Sequence, residues 1–375
     1  MTTDKQVSPG TGTPLHRASA LGQSIWIDSL SREWIRGGFL RKLIDEDSVV
    51  GATSNPTILQ HAMSSGESYD EQLRELAGRD AADAFWELAV VDIKQACDVF
   101  APVFEATGAR DGYVSLEVDP TLAYETLSTY QEALRLHERV DRPNLLVKIP
   151  ATKPGLAAIE DVIAHGRSVN VTLIFSLRRY AEVAQSYIRG IQRLVAEGGD
   201  PRKVHSVASF FVSRIDTETD RRLDQIGGHD RLKGKLAVAN ARLAYEHYKQ
   251  AFDGERWEFL AGKGATPQRV LWASTSTKNP AYSDTLYVDE LIGPDTVNTM
   301  PLETLTDYQD HGNPEPRLEQ GLEAAHALFG QLEAAGVDYE DVTDTLEREG
   351  VEKFSASFEE LLESLRTKHA SLAAA

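Results

Sequence analysis

Asn144-Leu145-Leu146-Val147-Lys148-Ile149-Pro150-Ala151-Thr152 is an apolar run interrupted by one lysine and closed by a proline. Near-continuous apolar runs of this length mark strands covered on both faces, as in a parallel sheet. A lysine in such a run has two readings. In one, Lys148 sits at the strand end and carries its ammonium along its own aliphatic stem to water or to a carboxylate. In the other, burial favours the neutral amine over the ammonium, and a neutral amine attacks a carbonyl to form a Schiff base. The stretch alone leaves both open.

Working outward from it, similar short runs lie upstream at Ser24–Leu30, Val49–Pro56 and Gly112–Val118. Downstream they recur at Ser168–Phe175, Val204–Val212, Gln268–Ser274 and, more weakly, Asp295–Met300. Segments with apolar residues at helical spacing fill the gaps: Trp34 to Ile44, then about 69–107, 121–140, 154–165, 177–196 and a long region to about Phe252. Eight short strands alternating with helices, without a linker-like stretch, predict an α/β chain: a single (β/α)8 TIM barrel over residues 21–375, with additional C-terminal helices at about 310–375. A doubly wound open sheet is the alternative, but no Gly-rich dinucleotide fingerprint follows the first strand. Residues 1–20, rich in Thr, Ser, Gly and Pro, read as a flexible lead-in without the apolar core of a signal peptide, which points to a cytoplasmic protein.

Among the 375 residues, 58 are acidic and 39 are Lys or Arg, a formal net charge of −19. That balance argues against non-specific association with nucleic acid or an anionic membrane, and says nothing against a local basic pocket. No apolar run approaches the length of a membrane span. The single cysteine, Cys97, falls in an apolar helical pattern, so no intrachain disulfide forms and a buried, inert thiol is expected.

In a barrel of this kind the reacting groups sit at the carboxyl ends of the strands. Those ends carry Asp28, Asn55, Glu117, Lys148, Asn170 with Thr172, Ser209 and Ser274. Each has a plain structural alternative. Asp28 could cap a helix, as could Ser29 or Ser31; Asn55 could be a turn residue before Pro56; Glu117 could be the partner of an Arg or Lys. Asn170 and Thr172 alternate on one strand face and should point the same way, whether to pack or to bind. Arg214, five residues after Ser209, is a surface arginine or a phosphate fork. Convergence on one rim weighs more than any single residue.

At this point the chain resembles the transaldolase family of Schiff-base-forming class I aldolases. The resemblance rests on Trp-Ile-Asp at Asp28, the Thr53-Ser54-Asn55-Pro56-Thr57 turn, Leu-Glu-Val at Glu117 and Val-Lys-Ile-Pro-Ala-Thr at Lys148. It also rests on Asn170 to Ser176 and Ser209 to Ile215, in order, one motif per strand, over about residues 20–300. It implies transfer of a dihydroxyacetone unit from sedoheptulose 7-phosphate to glyceraldehyde 3-phosphate in the pentose phosphate pathway. It implies no cofactor and no metal beyond the covalent Schiff base on Lys148, sugar phosphates as partners, and a monomer or homodimer. Carried over, Asp28 is the acid/base at the C4 hydroxyl, and Glu117 works through a water held partly by Thr172. Asn55, Asn170 and Ser209 bind the three-carbon unit, while Arg214 and Ser274 hold the phosphate. One departure stands out: Ser276 occupies the place where the best-known members have a second arginine, and Lys278 is the expected substitute. A fructose-6-phosphate aldolase-like enzyme, and a non-catalytic sugar-phosphate-binding barrel, are the alternatives.

Overall fold

Eight strands, β1 (Gln23–Ile27), β2 (Val49–Ala52), β3 (Val114–Glu117), β4 (Leu145–Pro150), β5 (Val169–Ile174), β6 (Ser206–Phe211), β7 (Arg269–Ala273) and β8 (Thr296–Met300), pair in sequence order. Every pairing is parallel, and β8 returns to β1 to close the barrel. The computed structural model describes residues 12–64, 67–76 and 78–374. The (β/α)8 TIM barrel expected from the sequence is the fold, with helices on the outside and further helices after β8. All six residues of β4, of β5 and of β6 are buried, which is why those stretches read as near-continuous apolar runs. Inside, space is tight. Trp26 of β1 lies over Gly51 of β2, where a Cβ would come within 2.5 Å of the indole ring.

Two backbone irregularities sit at the carboxyl ends of strands. Between Val171↔Ala208 and Ile174↔Phe210, β5 carries one more residue than β6, a bulge at Thr172-Leu173. Leu173 takes φ 60° there, and Ser274, just past β7, takes φ 56°. Left-handed backbone costs a residue with a Cβ roughly 1–2 kcal/mol, and bulges at barrel rims re-aim side chains.

The helical regions differ from expectation in several places, among them the Trp34 to Ile44 stretch, which forms two helices, Arg32–Arg36 and Phe39–Asp47. The lead-in is a helix where it is described: Pro14–Ala20 buries Leu15 and Ala18 against the barrel, Pro14 serving as the first helical residue. Residues 1–11 lie outside the described residues. The region 69–107 divides into Asp70–Glu75 and Ala81–Ala106, because Asp80 accepts a hydrogen bond from Ala82 N and starts a new helix. The region after β6 divides into Ser213–Ile226 and Leu236–Ala251.

The long helix Tyr339–Ala374 acts as a roof. Its 36 residues span about 54 Å. Val342, Leu346, Phe354, Phe358, Leu361 and Leu365 recur at helical spacing and are buried, each stabilising by about 1.5–3 kcal/mol relative to exposure. Near its start, Asp341 pairs with Arg222 at 2.6 Å and Glu347 with Arg179 at 3.0 Å, on the helices after β6 and β5. Further along, Ser357 Oγ accepts from Thr57 Oγ1 at 2.9 Å, and Lys368 pairs with Asp70 at 2.8 Å, both partners lying beyond β2. Its middle crosses the carboxyl-end mouth of the barrel. Gly350 passes so close that a Cβ would stand 3.0 Å from Leu173 Cδ2.

Candidate active site

The register of β3 and β4 sets Glu117 beside Lys148. Lys148 Nζ lies 3.1 Å from Glu117 Oε2 and donates to the Ser54 carbonyl at 3.0 Å. Lys148 is 5% exposed, so it pairs with a carboxylate without reaching water. Burial pushes the Glu117 carboxyl above its ordinary range, against the opposing pull of Lys148. Neither Glu117 oxygen, nor Thr172 Oγ1 at the bulge, has a well-directed hydrogen bond within the protein, although all three are buried. Buried polar atoms are ordinarily partnered. A carboxyl whose pKa burial raises, the amine beside it and a buried hydroxyl on the neighbouring rim make up an acid/base cluster with hydrogen-bonding capacity still to be used.

Asp28 stands one residue past β1 and accepts from Thr53 Oγ1 at 2.6 Å. Thr53 in turn lies 2.7 Å from Thr299 Oγ1 of β8. Asp28 is not a helix cap: Ser31 fills that role, accepting from Trp34 N at 3.2 Å. Burial raises the Asp28 pKa, and Lys148 leads the influences that lower it. Burial thus raises the pKa of both carboxyl groups that feel Lys148, and Lys148 opposes it at each. Asn55 does act as a cap, its Oδ1 accepting from Ile58 N at 2.9 Å. Asn170 is fully buried, donating to Ser115 Oγ at 3.0 Å and accepting from Ser209 Oγ at 2.7 Å. Lys148 and Asn170 are register neighbours on β4 and β5.

Toward β6 and β7 the rim becomes cationic. Arg214, at the start of Ser213–Ile226, sits over the Phe211 ring at 5.3 Å. Burial lowers its pKa, while Asp28 and Glu349 support its charge. Ser274 Oγ lies 3.0 Å from Ser213 Oγ. Lys278, exposed, donates to Ser276 Oγ at 2.6 Å.

Four contributors escaped the sequence reading: Thr53, Ser115, Thr299 and Phe354. Ser115 and Thr299 are single hydroxyls in strands, a common pattern with no functional signature of its own, while Thr53 lies just past β2 in the turn that singled out Asn55. Phe354 comes from the roof helix, its ring centroid 5.8 Å from Lys148 Nζ. Cys97 is buried with its thiol pKa pushed up by burial, an inert side chain as expected. Among the described residues no group of three or more His, Cys, Asp or Glu could hold a metal ion, and no helix is long and apolar enough to cross a membrane.

Known proteins match this sequence over most of its length. The family model described as Transaldolase/Fructose-6-phosphate aldolase matches residues 25–365. A transaldolase of Saccharopolyspora erythraea is 52% identical over 359 residues, covering 95% of this chain and 98% of that protein. Transaldolases of Acidothermus cellulolyticus and Mycobacterium ulcerans are each 53% identical, over 93% and 95% of this chain and 95% and 97% of theirs.

Proposed function

The chain belongs to the transaldolase/fructose-6-phosphate aldolase family, and from that premise we propose how its residues carry a transaldolase reaction. The donor is sedoheptulose 7-phosphate. Lys148 Nζ adds to its C2 carbonyl, and loss of water from the carbinolamine gives a protonated imine. Glu117, acting with Thr172 through a water, delivers and removes the protons of that dehydration. Asp28 then takes the C4 hydroxyl proton as the C3–C4 bond breaks. The bonding electrons pass into the imine, erythrose 4-phosphate leaves, and a three-carbon enamine stays on Lys148. Addition of that enamine to the aldehyde of glyceraldehyde 3-phosphate reverses these steps, and hydrolysis releases fructose 6-phosphate.

Asn170, Ser209 and the amide of Asn55 bind hydroxyls of the three-carbon unit, while Arg214, Ser274 and Lys278 take the phosphate. Phe354, roofing Lys148, helps keep bulk water from protonating the enamine. The same reading has residues 21–375 folding as one unit, in the cytoplasm, as a monomer or homodimer independent of metal and organic cofactor. The observation that carries it is the buried Lys148 beside a Glu117 carboxyl with no directed hydrogen bond of its own.

Borohydride reduction in the presence of fructose 6-phosphate tests it. A three-carbon adduct should appear by peptide mass spectrometry on the peptide holding Lys148, and should be absent from Lys148→Ala. No adduct on a folded, saturated protein would overturn the mechanism. Release of free dihydroxyacetone without an acceptor, in place of transfer to erythrose 4-phosphate, would assign simple aldol cleavage instead.

A further inference from the structure

We propose that Lys353 of the roof helix is a specificity-determining residue, completing with Arg214 and Lys278 a three-cation cradle for the phosphate of the substrate. The inference rests on the reading above and identifies the group that offsets the missing arginine at Ser276.

Its geometry is traceable through contacts. Gly350 of the roof packs on Leu173 and stands over Phe175, where a Cβ would meet the ring at 3.6 Å. The Phe175 and Phe211 rings are 5.1 Å apart, and Arg214 lies over Phe211. Lys353 follows Gly350 by less than one helical turn, and its neighbour Phe354 reaches Lys148. The turn that holds Lys353 is therefore set between the Schiff-base amine and Arg214. Arg214, followed by burial and by Lys278, depresses the Lys353 pKa, so the three cations share one field.

Like charges are not gathered in this way by chance in so acidic a chain. Arg178, Arg179 and Arg222, on the same side of the barrel, each hold a carboxylate. Among the described residues, Arg214, Lys278 and Lys353 form no ion pair: Lys278 bonds only to a serine hydroxyl, and Arg214 rests on an aromatic ring. Glu349 and Asp28 are the anions that Arg214 senses, and neither makes an ion pair with it. Three cations without a paired carboxylate repel one another, and a doubly charged anion lying between them relieves that repulsion. A phosphate monoester carries that charge, and the unphosphorylated end of a sugar does not. Placing one cation on the roof also makes phosphate binding hold the roof down over Lys148.

The test is a ratio of specificity constants. Lys353→Glu and Lys353→Gln are assayed for transfer from fructose 6-phosphate and, separately, from unphosphorylated dihydroxyacetone to an unphosphorylated aldehyde. The expected result is a KM for the phosphorylated donor raised by about tenfold in Lys353→Gln and more in Lys353→Glu. The loss should be at least about tenfold greater than for the unphosphorylated pair, with recovery in Lys353→Arg. Glu352→Gln, one residue away and exposed, should leave the ratio where it was. Equal losses for both substrate pairs would make Lys353 a structural residue of the roof, and an unchanged KM would remove it from the site; either overturns the proposal. Failure of the wider reading looks different, since the parent protein would then neither transfer nor form the borohydride adduct.

Discussion

The two ends of the barrel use the same strands and treat charge in opposite ways. At the amino ends, Asp111 engages both carboxylate oxygens: Oδ2 accepts from Ser24 at 2.8 Å, and Oδ1 from Trp26 Nε1 at 3.2 Å and Arg269 Nη2 at 2.9 Å. Arg110 meets Asp295 close by. At the carboxyl ends, Glu117 and Thr172 hold buried oxygens with no directed partner, and among the described residues Arg214, Lys278 and Lys353 form no ion pair. One end closes its polar groups on each other and gains stability. The other leaves them unmatched at a cost in stability, and that incompleteness is what a substrate completes.

If this contrast is right, changes at the two ends should separate activity from stability. Lys148→Ala should abolish turnover, a loss of roughly 10⁴-fold or more because no covalent intermediate can form, while circular dichroism still reports a folded barrel. Asp111→Ala at the opposite end should do the reverse. It leaves Arg269 buried and unpaired, a change that costs about 3–5 kcal/mol, read as a lower urea midpoint with KM and kcat unchanged at permissive temperature. Equal effects of Asp111→Ala on both properties would break the comparison.

A pH measurement sharpens it. His137 is buried, donates from Nε2 to the Ser168 carbonyl at 2.9 Å near the amino end of β5, and has its pKa lowered by burial to about 4. Its folded-state value lies below the ordinary 6.5, so between those values the unfolded chain binds more protons. The stability it contributes is therefore present above pH 6.5 and lost as pH falls toward 4. The stability advantage of the parent over His137→Gln should shrink by about 3 kcal/mol across that window, and a constant difference would place the neutral imidazole elsewhere. The smallest expected effect returns to the mouth. Lys278 is exposed, so Lys278→Ala should raise KM for phosphorylated substrates only about two- to fivefold; an unchanged KM would take Lys278 out of the cradle.

How far the sequence reached depended on where each signal lies. The strands announced themselves because burial on both faces demands apolar runs, and Lys148 and Glu117 were visible as charges that such runs do not tolerate without a reason. Asp28 was ambiguous until Ser31 proved to hold the helix cap. Ser115 and Thr299 were invisible, since a hydroxyl in a strand is ordinary until its partner on another strand is known, and Thr53 was quoted in a motif without a role until Asp28 and Thr299 were seen beside it. The bulge at Leu173 has no sequence mark, because the residue that takes the left-handed backbone is a leucine. Phe354 and Lys353 could be read only as one apolar and one charged position of a surface helix. Their meaning comes from where that helix crosses the barrel, which is settled by distant anchors such as Asp70, Arg179 and Arg222.

The order of these pieces along the chain sets an order in time. The barrel can close once β8 has been translated, yet the segment that covers Lys148 lies within residues 301–374. At ordinary rates of synthesis that segment takes roughly 4–15 s to make. During that interval a growing chain can present a formed ring of strands with its reactive amine uncovered, open to any small aldehyde in the surrounding medium. Early folding of the barrel is thus a chemical hazard as well as a gain, one that ends when the roof helix docks.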